Sequence, residues 1–197
     1  MTAALPDLTG PVDEVAPALL GCRLVAGGVT VRLTEVEAYS GQGSDPASHA
    51  HRGRTARNSV MFERAGLLYV YFTYGMHWCM NVVTGPDGHA SAVLLRAGEV
   101  VEGLDLARER RPGTPDRDLC RGPARLTKAL GIDARHLGVD LLDPSSPVRL
   151  LPGGHEGTVA VGPRVGVAAG AETHWRFWLE GEPTVSAYRP AVRRVRR

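Results

Sequence analysis

Glu35 and Glu37 stand two residues apart in the run 29–39, VTVRLTEVEAY. If that run is a strand, its period of two puts both carboxylates and Tyr39 on one face, with the two Cβ atoms about 6.5–7 Å apart. Two acids at such a separation suit hydrolysis of a glycosidic bond with inversion. Alternatively Glu37, nearer the strand's end, is the sole base and Glu35 is structural; ion pairs or solvated side chains would give the same pattern. A second resource is the aromatic set Tyr39, Tyr69, Tyr71, Tyr74 and Trp78. Strand periodicity places Tyr69 and Tyr71 with Thr73 on one face, and Leu68, Val70, Phe72 and Tyr74 on the other. Tyrosines in strands commonly pack in the core with a bonded hydroxyl, but Tyr74 lies beside a turn glycine, where a core role is hard to supply. A third is the loop carrying His49, His51, Arg52, Arg54 and Arg57. Arginines beside glycine suit phosphate contacts, although solvated loop charge is the plainer explanation.

The elements that must position these groups follow from local pattern. Residues 29–39 are rich in β-branched side chains and alternate, which predicts a strand whose face begins with Val29, Val31 and Leu33 and ends in Glu35, Glu37 and Tyr39. It would run from a core into a pocket. Residues 40–58 form a polar, glycine-rich connection longer than ordinary loops, and long ordered loops tend to be functional. Residues 67–74 and 76–83 read as two further strands joined by a hairpin turn at Thr73-Tyr74-Gly75. Residues 92–97 suggest a fourth strand, and residues 100–110 and 124–130 suggest helices, the latter opened by Gly122-Pro123. A short helix is expected over 13–20, capped by Asp13 and stopped by Gly21, with Pro17 restricting it to the turns that follow. Residues 133–157 are loop-rich, residues 163–168 and 175–180 are strand candidates, and residues 190–197, with four arginines, read as a flexible basic tail.

With 197 residues, 43% of them hydrophobic, the chain is long enough to bury one core and suggests one domain over 1–197. No apolar run approaches a bilayer span and the start lacks a secretory pattern, so a soluble cytoplasmic protein is expected. The three cysteines, Cys22, Cys79 and Cys120, are scattered without a Cys-x-x-Cys pair and read as reduced thiols. A net charge of +2 with a pI near 8.6 is too mild to establish nucleic-acid binding. Lys128 is the only lysine, so a Schiff-base mechanism would have to use it or the N-terminal amine. His49 and His51 have no nearby third ligand in sequence, which speaks against a metal site.

Several segments together resemble the alkyladenine (3-methyladenine) DNA glycosylase family: Thr34-Glu35-Val36-Glu37-Ala38-Tyr39, His49 followed by RTARN at 54–58, LYVY at 68–71 through Tyr74-Gly75-Met76, Cys79-Met80-Asn81, VLLRA at 93–97 and Gly122-Pro123. Arg164-Val165-Gly166-Val167 and Trp175-Arg176-Phe177 extend the likeness. It implies an α+β fold in one compact domain, a curved, mainly antiparallel sheet with flanking helices and a protruding β-hairpin. It further implies that Glu37 is the general base on an attacking water and that Arg96 helps hold that water and the nucleotide backbone. Tyr39, Tyr71 and His49 would line the pocket and stack on an extruded base, and Asn81 at the floor would crowd out the amino group of normal guanine. Tyr74 would be the wedge in the minor groove, with Met76, Arg54 and Arg57 also on the DNA. The partner implied is duplex DNA carrying damaged purines, handled by a bacterial monomer without cofactor, metal, membrane, obligate protein partner or lyase step. His77 and Arg125 depart from the expected pattern at positions that touch DNA placement more than chemistry.

Physical chemistry is consistent with these roles. Extruding a base costs a few kcal/mol, least for damaged bases, and stacking on an aromatic side chain returns about 1–3 kcal/mol per base. An alkylated purine is already cationic, so it leaves readily and stacks well; neutral lesions such as hypoxanthine are expected to be slower. Two other classes fit parts of the pattern: a binder of damaged nucleic acid that does no chemistry, and a carbohydrate hydrolase using both glutamates.

Overall fold

The computed structural model describes residues 4–191. The basic tail expected at 190–197 falls almost wholly outside that range, including all four of its arginines. The described residues form an α+β domain of eight antiparallel strands and three α-helices. β1 (Arg23–Ala26) and β2 (Val29–Tyr39) make a hairpin; β3 (Leu68–Thr73) and β4 (His77–Val83) make a second; β5 (Ala92–Glu102) lies between β4 and β2. β6 (Val148–Leu151) extends the sheet beyond β1, and β7 (Val159–Gly162) pairs with β8 (Arg176–Leu179). One edge of β2 is covered by β5 along its length, whereas the other meets β1 at residues 29–32 and β8 at residues 35–37.

That change of partner coincides with a β-bulge. Leu33 faces Gly98 and Glu35 faces Ala97, after which Val36 faces Leu95, so Arg96 is skipped in the ladder. A Cβ on Gly98 would run into the Val31 side chain and the Arg32 carbonyl, so only glycine permits the strands to approach here. The bulge resets the side-chain parity of β2. Val29, Val31 and Leu33 pack in the main core, and beyond the bulge the core residues are Val36 and Ala38. The expectation of one continuous face from Val29 to Tyr39 is therefore corrected: Glu35, Glu37 and Tyr39 lie opposite the core.

The main core fills the space between one sheet face and helices α1 (Val12–Ala18) and α3 (Pro123–Leu130). Pro123 opens α3 at the first helical position as expected, and the left-handed Gly131 is its C-cap, with Leu126, Thr127, Ala129 and Leu130 buried. α1 begins at Val12, because the Pro11 carbonyl accepts from the Glu14 and Val15 N–H groups; Asp13 sits in the first turn and caps nothing. Pro17 lies inside α1 one residue before its end, so Gly21 is not its stop. The third helix, α2, is Leu104–Arg110, and residues 100–102 belong instead to β5, which outruns its expected end at Ala97. Residues 163–168 are not a strand; the residues beside β8 are β7, just before them. The loop-rich stretch contains β6, a four-residue strand with too few positions to declare its alternation. A smaller cluster, Ala50, Val60, Met61, Phe62, Leu67, Tyr69, Val83, Ala90 and Ala92, packs on the other sheet face beneath the long loop. No helix among the described residues is long and apolar enough to cross a membrane.

Candidate active site

Past the bulge, four neighbouring strands alternate in phase. Leu68 and Val70, Met80 and Val82, Val93 and Leu95, Val36 and Ala38 point into the main core. Their in-between neighbours therefore share the opposite face. The ladder aligns Tyr69 with Asn81, Asn81 with Leu94, and Leu94 with Glu37, a single row across β3, β4, β5 and β2. Over this row lies a cavity of about 270 Å³, near the lower end of ligand pockets at roughly 300–1,000 Å³. It suits a flat ring better than a run of sugars. The strands contribute Tyr39, Tyr69, Tyr71, Cys79, Asn81, Leu94 and Arg96 to its lining. The long loop adds Ala47 and His49, α3 adds Pro123, and the segment after β7 adds Val165, Gly166 and Val167.

Glu37 does not itself line the cavity; it is fully buried just behind the wall. Its Oε2 accepts from the Tyr39 hydroxyl at 2.9 Å and from Arg96 Nη1 at 3.3 Å, and its Oε1 accepts from the Val165 N–H at 2.7 Å. All three donors belong to lining residues. Burial pushes the Glu37 carboxyl above its ordinary 4.5, opposed by Arg96, Val165 and Tyr39. Burial also raises the Tyr39 hydroxyl, helped by the neighbouring Glu37 charge, so Tyr39 remains a donor.

Glu35 has a different environment. It accepts from Arg96 Nε at 2.9 Å, Arg176 Nε at 2.7 Å, the Ser186 hydroxyl at 2.9 Å and the Ser186 N–H at 2.7 Å. Three of these donors converge on Oε1 and one on Oε2, and Arg176 and Ser186 lie outside the cavity lining, so the two glutamates occupy different environments and are not an equivalent acid–base pair.

The aromatic wall is braced from behind. His49 Nδ1 lies 3.1 Å from the Tyr69 hydroxyl, and its ring meets Tyr71 edge-on with centroids 4.5 Å apart. Burial, aided by the Arg57 charge, pushes His49 below 6.5, favouring the neutral ring at neutral pH. Tyr69, buried and pushed up to about 12, stacks against Tyr71 at 5.5 Å. The Asn81 amide is fixed by donating to the Tyr69 carbonyl at 3.1 Å. Arg164, fully buried, makes a two-pronged pair with Asp45 at 2.6 and 2.9 Å, donates to the Ala38 carbonyl at 3.0 Å, and lies over the Tyr39 ring at 4.7 Å and the Trp175 ring at 5.6 Å. It ties the start of the long loop to β2 and backs Tyr39.

The sequence had singled out Glu37, Tyr39, His49, Tyr71, Asn81 and Arg96, and the fold brings all six to this one site. In the sequence Tyr69 stands out only as one of an aromatic set, Val165 and Arg176 only as parts of segments that extend the family likeness, and Asp45 and Ser186 not at all. Val165 reaches Glu37 through its main-chain N–H, which no side-chain pattern reports.

Beside the cavity stands the β3–β4 hairpin. Tyr74 and Gly75 both have positive φ, 51° and 66°, and the Met76 N–H closes the turn on the Thr73 carbonyl at 3.2 Å. Tyr74 is the one non-glycine residue with positive φ among those described. It is 85% exposed, Met76 is 67% exposed and Phe72 is 44% exposed. Such a patch on a projecting turn marks an interaction surface. Arg57 donates to the Phe72 carbonyl at 3.1 Å and lies over the Tyr71 ring, joining the long loop to the hairpin; Arg54 stands over Phe62 and 3.8 Å from Glu63. Neither arginine lines the cavity.

An aromatic-lined cavity with a buried carboxylate behind its wall thus stands beside an exposed apolar hairpin tip. Residues 7–183 match the methylpurine-DNA glycosylase family, and the chain belongs to that family. Three bacterial relatives, each named "Putative 3-methyladenine DNA glycosylase", are similar over nearly their whole length. The protein of Nocardia farcinica is 56% identical, covering 96% of this chain and 93% of its own. That of Streptomyces avermitilis is 54% identical, covering 95% and 92%. That of Burkholderia lata is 49% identical, covering 92% and 88%.

Proposed function

We propose that this chain is a monofunctional DNA glycosylase that extrudes 3-methyladenine-type purines from duplex DNA and hydrolyses the N-glycosidic bond with a water activated by Glu37, as the first step of base excision repair. The observation that carries this reading is the buried Glu37 carboxylate, raised by desolvation and held by three donors that all belong to the cavity wall. Oε2 has both acceptor directions taken, whereas Oε1 takes a single bond from Val165, leaving a lone pair for a water. A carboxylate raised toward neutrality is a better proton acceptor than a solvated one.

In this scheme Tyr74, with Met76, wedges into the minor groove and fills the gap in the stack, as apolar side chains do between base steps. Tyr39, Tyr71 and His49 take the base between them. Asn81 limits what the floor accepts, and Arg96 holds the water and backbone. Arg54 and Arg57 contact phosphates. A cationic alkylated purine needs no acid to leave, which accounts for a site with one free carboxylate; ethenoadenine and hypoxanthine, being neutral, are slower substrates. The enzyme acts as a monomer on chromosomal DNA in the cytoplasm. The decisive experiment is Glu37→Gln on alkylated duplex DNA: release of free purine falls on the order of 100-fold or more, while binding to the lesion duplex persists. Undiminished release would eliminate Glu37 as the base.

A further inference from the structure

Residues 184–189, just past the span matched to the family, run across the back of the site. Thr184 bonds Thr34 through their hydroxyls at 2.9 Å, and the Val185 carbonyl accepts from Arg121 Nε at 2.8 Å. Ser186 then uses every polar atom it has. Its N–H and hydroxyl donate to Glu35, its carbonyl accepts from Arg176 Nη2 at 2.7 Å, and its hydroxyl oxygen accepts from Arg96 Nη2 at 3.3 Å. Three residues on, the Arg189 carbonyl accepts from the Gly166 N–H at 2.9 Å, beside the Val165 N–H that bonds Glu37.

This segment therefore touches the supports of two of the three donors on Glu37. We propose that Ser186 is a positioning residue: with Glu35 it holds the Arg96 guanidinium turned away from Glu37, so that Glu37 receives one prong of the arginine and stays basic. The inference rests on Glu37 being the base.

The geometry specifies the consequence. Arg96 reaches Glu35 through Nε at 2.9 Å and Ser186 through Nη2, and only Nη1, at the longer 3.3 Å, reaches Glu37. A guanidinium released from Glu35 and Ser186 would turn its fork to Glu37 and grip it with two bonds, the preferred geometry of an arginine–carboxylate pair. A carboxylate gripped that way is a weaker base. The other groups facing Glu37 are Tyr39 and Glu35 on its own strand, Tyr71 on β3, Cys79 on β4, and Arg164 with the Val165 N–H from the segment after β7. None of these bonds Ser186 directly except Glu35, so a change at Ser186 reaches Glu37 through Arg96 and Glu35.

The test is the pH profile of single-turnover purine release from alkylated duplex DNA for the wild type, Ser186→Ala, Ser186→Thr and Glu37→Gln, with a melting curve for each. Ser186→Ala keeps both main-chain bonds of Ser186 and those of its neighbours in the segment, so the fold should persist. The acid-limb midpoint should move down by about half a pH unit or more, with the plateau rate lower by about threefold to tenfold. Half-saturation with lesion duplex should not change, and Ser186→Thr, which keeps the hydroxyl, should restore the wild-type profile. A midpoint that stays in place, or moves upward, overturns the inference, including where the melting temperature falls, since that would be a merely structural role. Continued release by Glu37→Gln would instead refute the base itself; loss there, with an unmoved Ser186→Ala midpoint, removes the positioning role alone.

Discussion

The Tyr39 hydroxyl donates to Glu37 at 2.9 Å from two residues along the same strand, so the ring that faces the cavity and the carboxylate behind it act as one unit. That bond lowers the Glu37 pKa, against the dominant upward push of burial. If Glu37 is the base it works when ionised, so release should rise with pH along a limb centred above 4.5. Tyr39→Phe keeps the stacking face and removes the bond. Its midpoint should therefore move to higher pH, opposite to the shift expected of Ser186→Ala, as read from release rates between about pH 4 and 8.

Tyr74 sits in backbone territory that suits glycine. A side chain held there costs of order 1–3 kcal/mol, so Tyr74→Gly should raise the melting temperature while weakening release from duplex substrate. On single-stranded alkylated DNA, where no stack needs filling, release should match the wild type. A duplex rate equal to wild type would remove the wedge role.

Asp45 and Arg164 form a pair buried beneath Tyr39. Removing one member of a buried pair leaves an uncompensated charge, which costs about 3–5 kcal/mol. Asp45→Ala should lose that much in urea unfolding and should also slow release, because Tyr39 loses its backing. Stability within 1 kcal/mol of wild type, taking ~1 as the size of an ordinary substitution, would show the pair to be inert.

Arg54 is exposed and only loosely paired with Glu63, whereas Arg57 is bonded to the hairpin. If both contact phosphates, Arg54→Ala should lower the slope of log affinity against log salt by about 0.9. Arg57→Ala should show the same change together with weaker discrimination for duplex lesions, since it also steadies the hairpin. Titrations at several salt concentrations separate the two outcomes.

Local pattern carried a good deal of this. The bounds of β2 follow from its β-branched alternation, α3 from Gly122-Pro123, and the hairpin from two strands meeting at Tyr74-Gly75. Alternation alone gives the wrong face for the end of β2, because a bulge depends on the partner strand: Gly98, 65 positions away if counted from Leu33, permits the close approach that shifts the phase. Short strands such as β6 escaped because four residues hold too little periodicity to be distinguished from loop.

The sequence by itself determined which side chains share a face within an unbroken run of one strand, as Tyr69 with Tyr71 and Glu37 with Tyr39, since a period of two needs no knowledge of the rest of the chain. Tertiary structure decided what Glu37 is. Its proton affinity depends on complete burial, on Arg96 59 residues away and on a main-chain N–H 128 residues away. The same structure surrounded Glu35 with four donors from β5, β8 and the C-terminal segment, three of them on Oε1. Two identical side chains on one strand thus acquire different chemistry, because desolvation and hydrogen bonding act through space, whatever the separation along the chain.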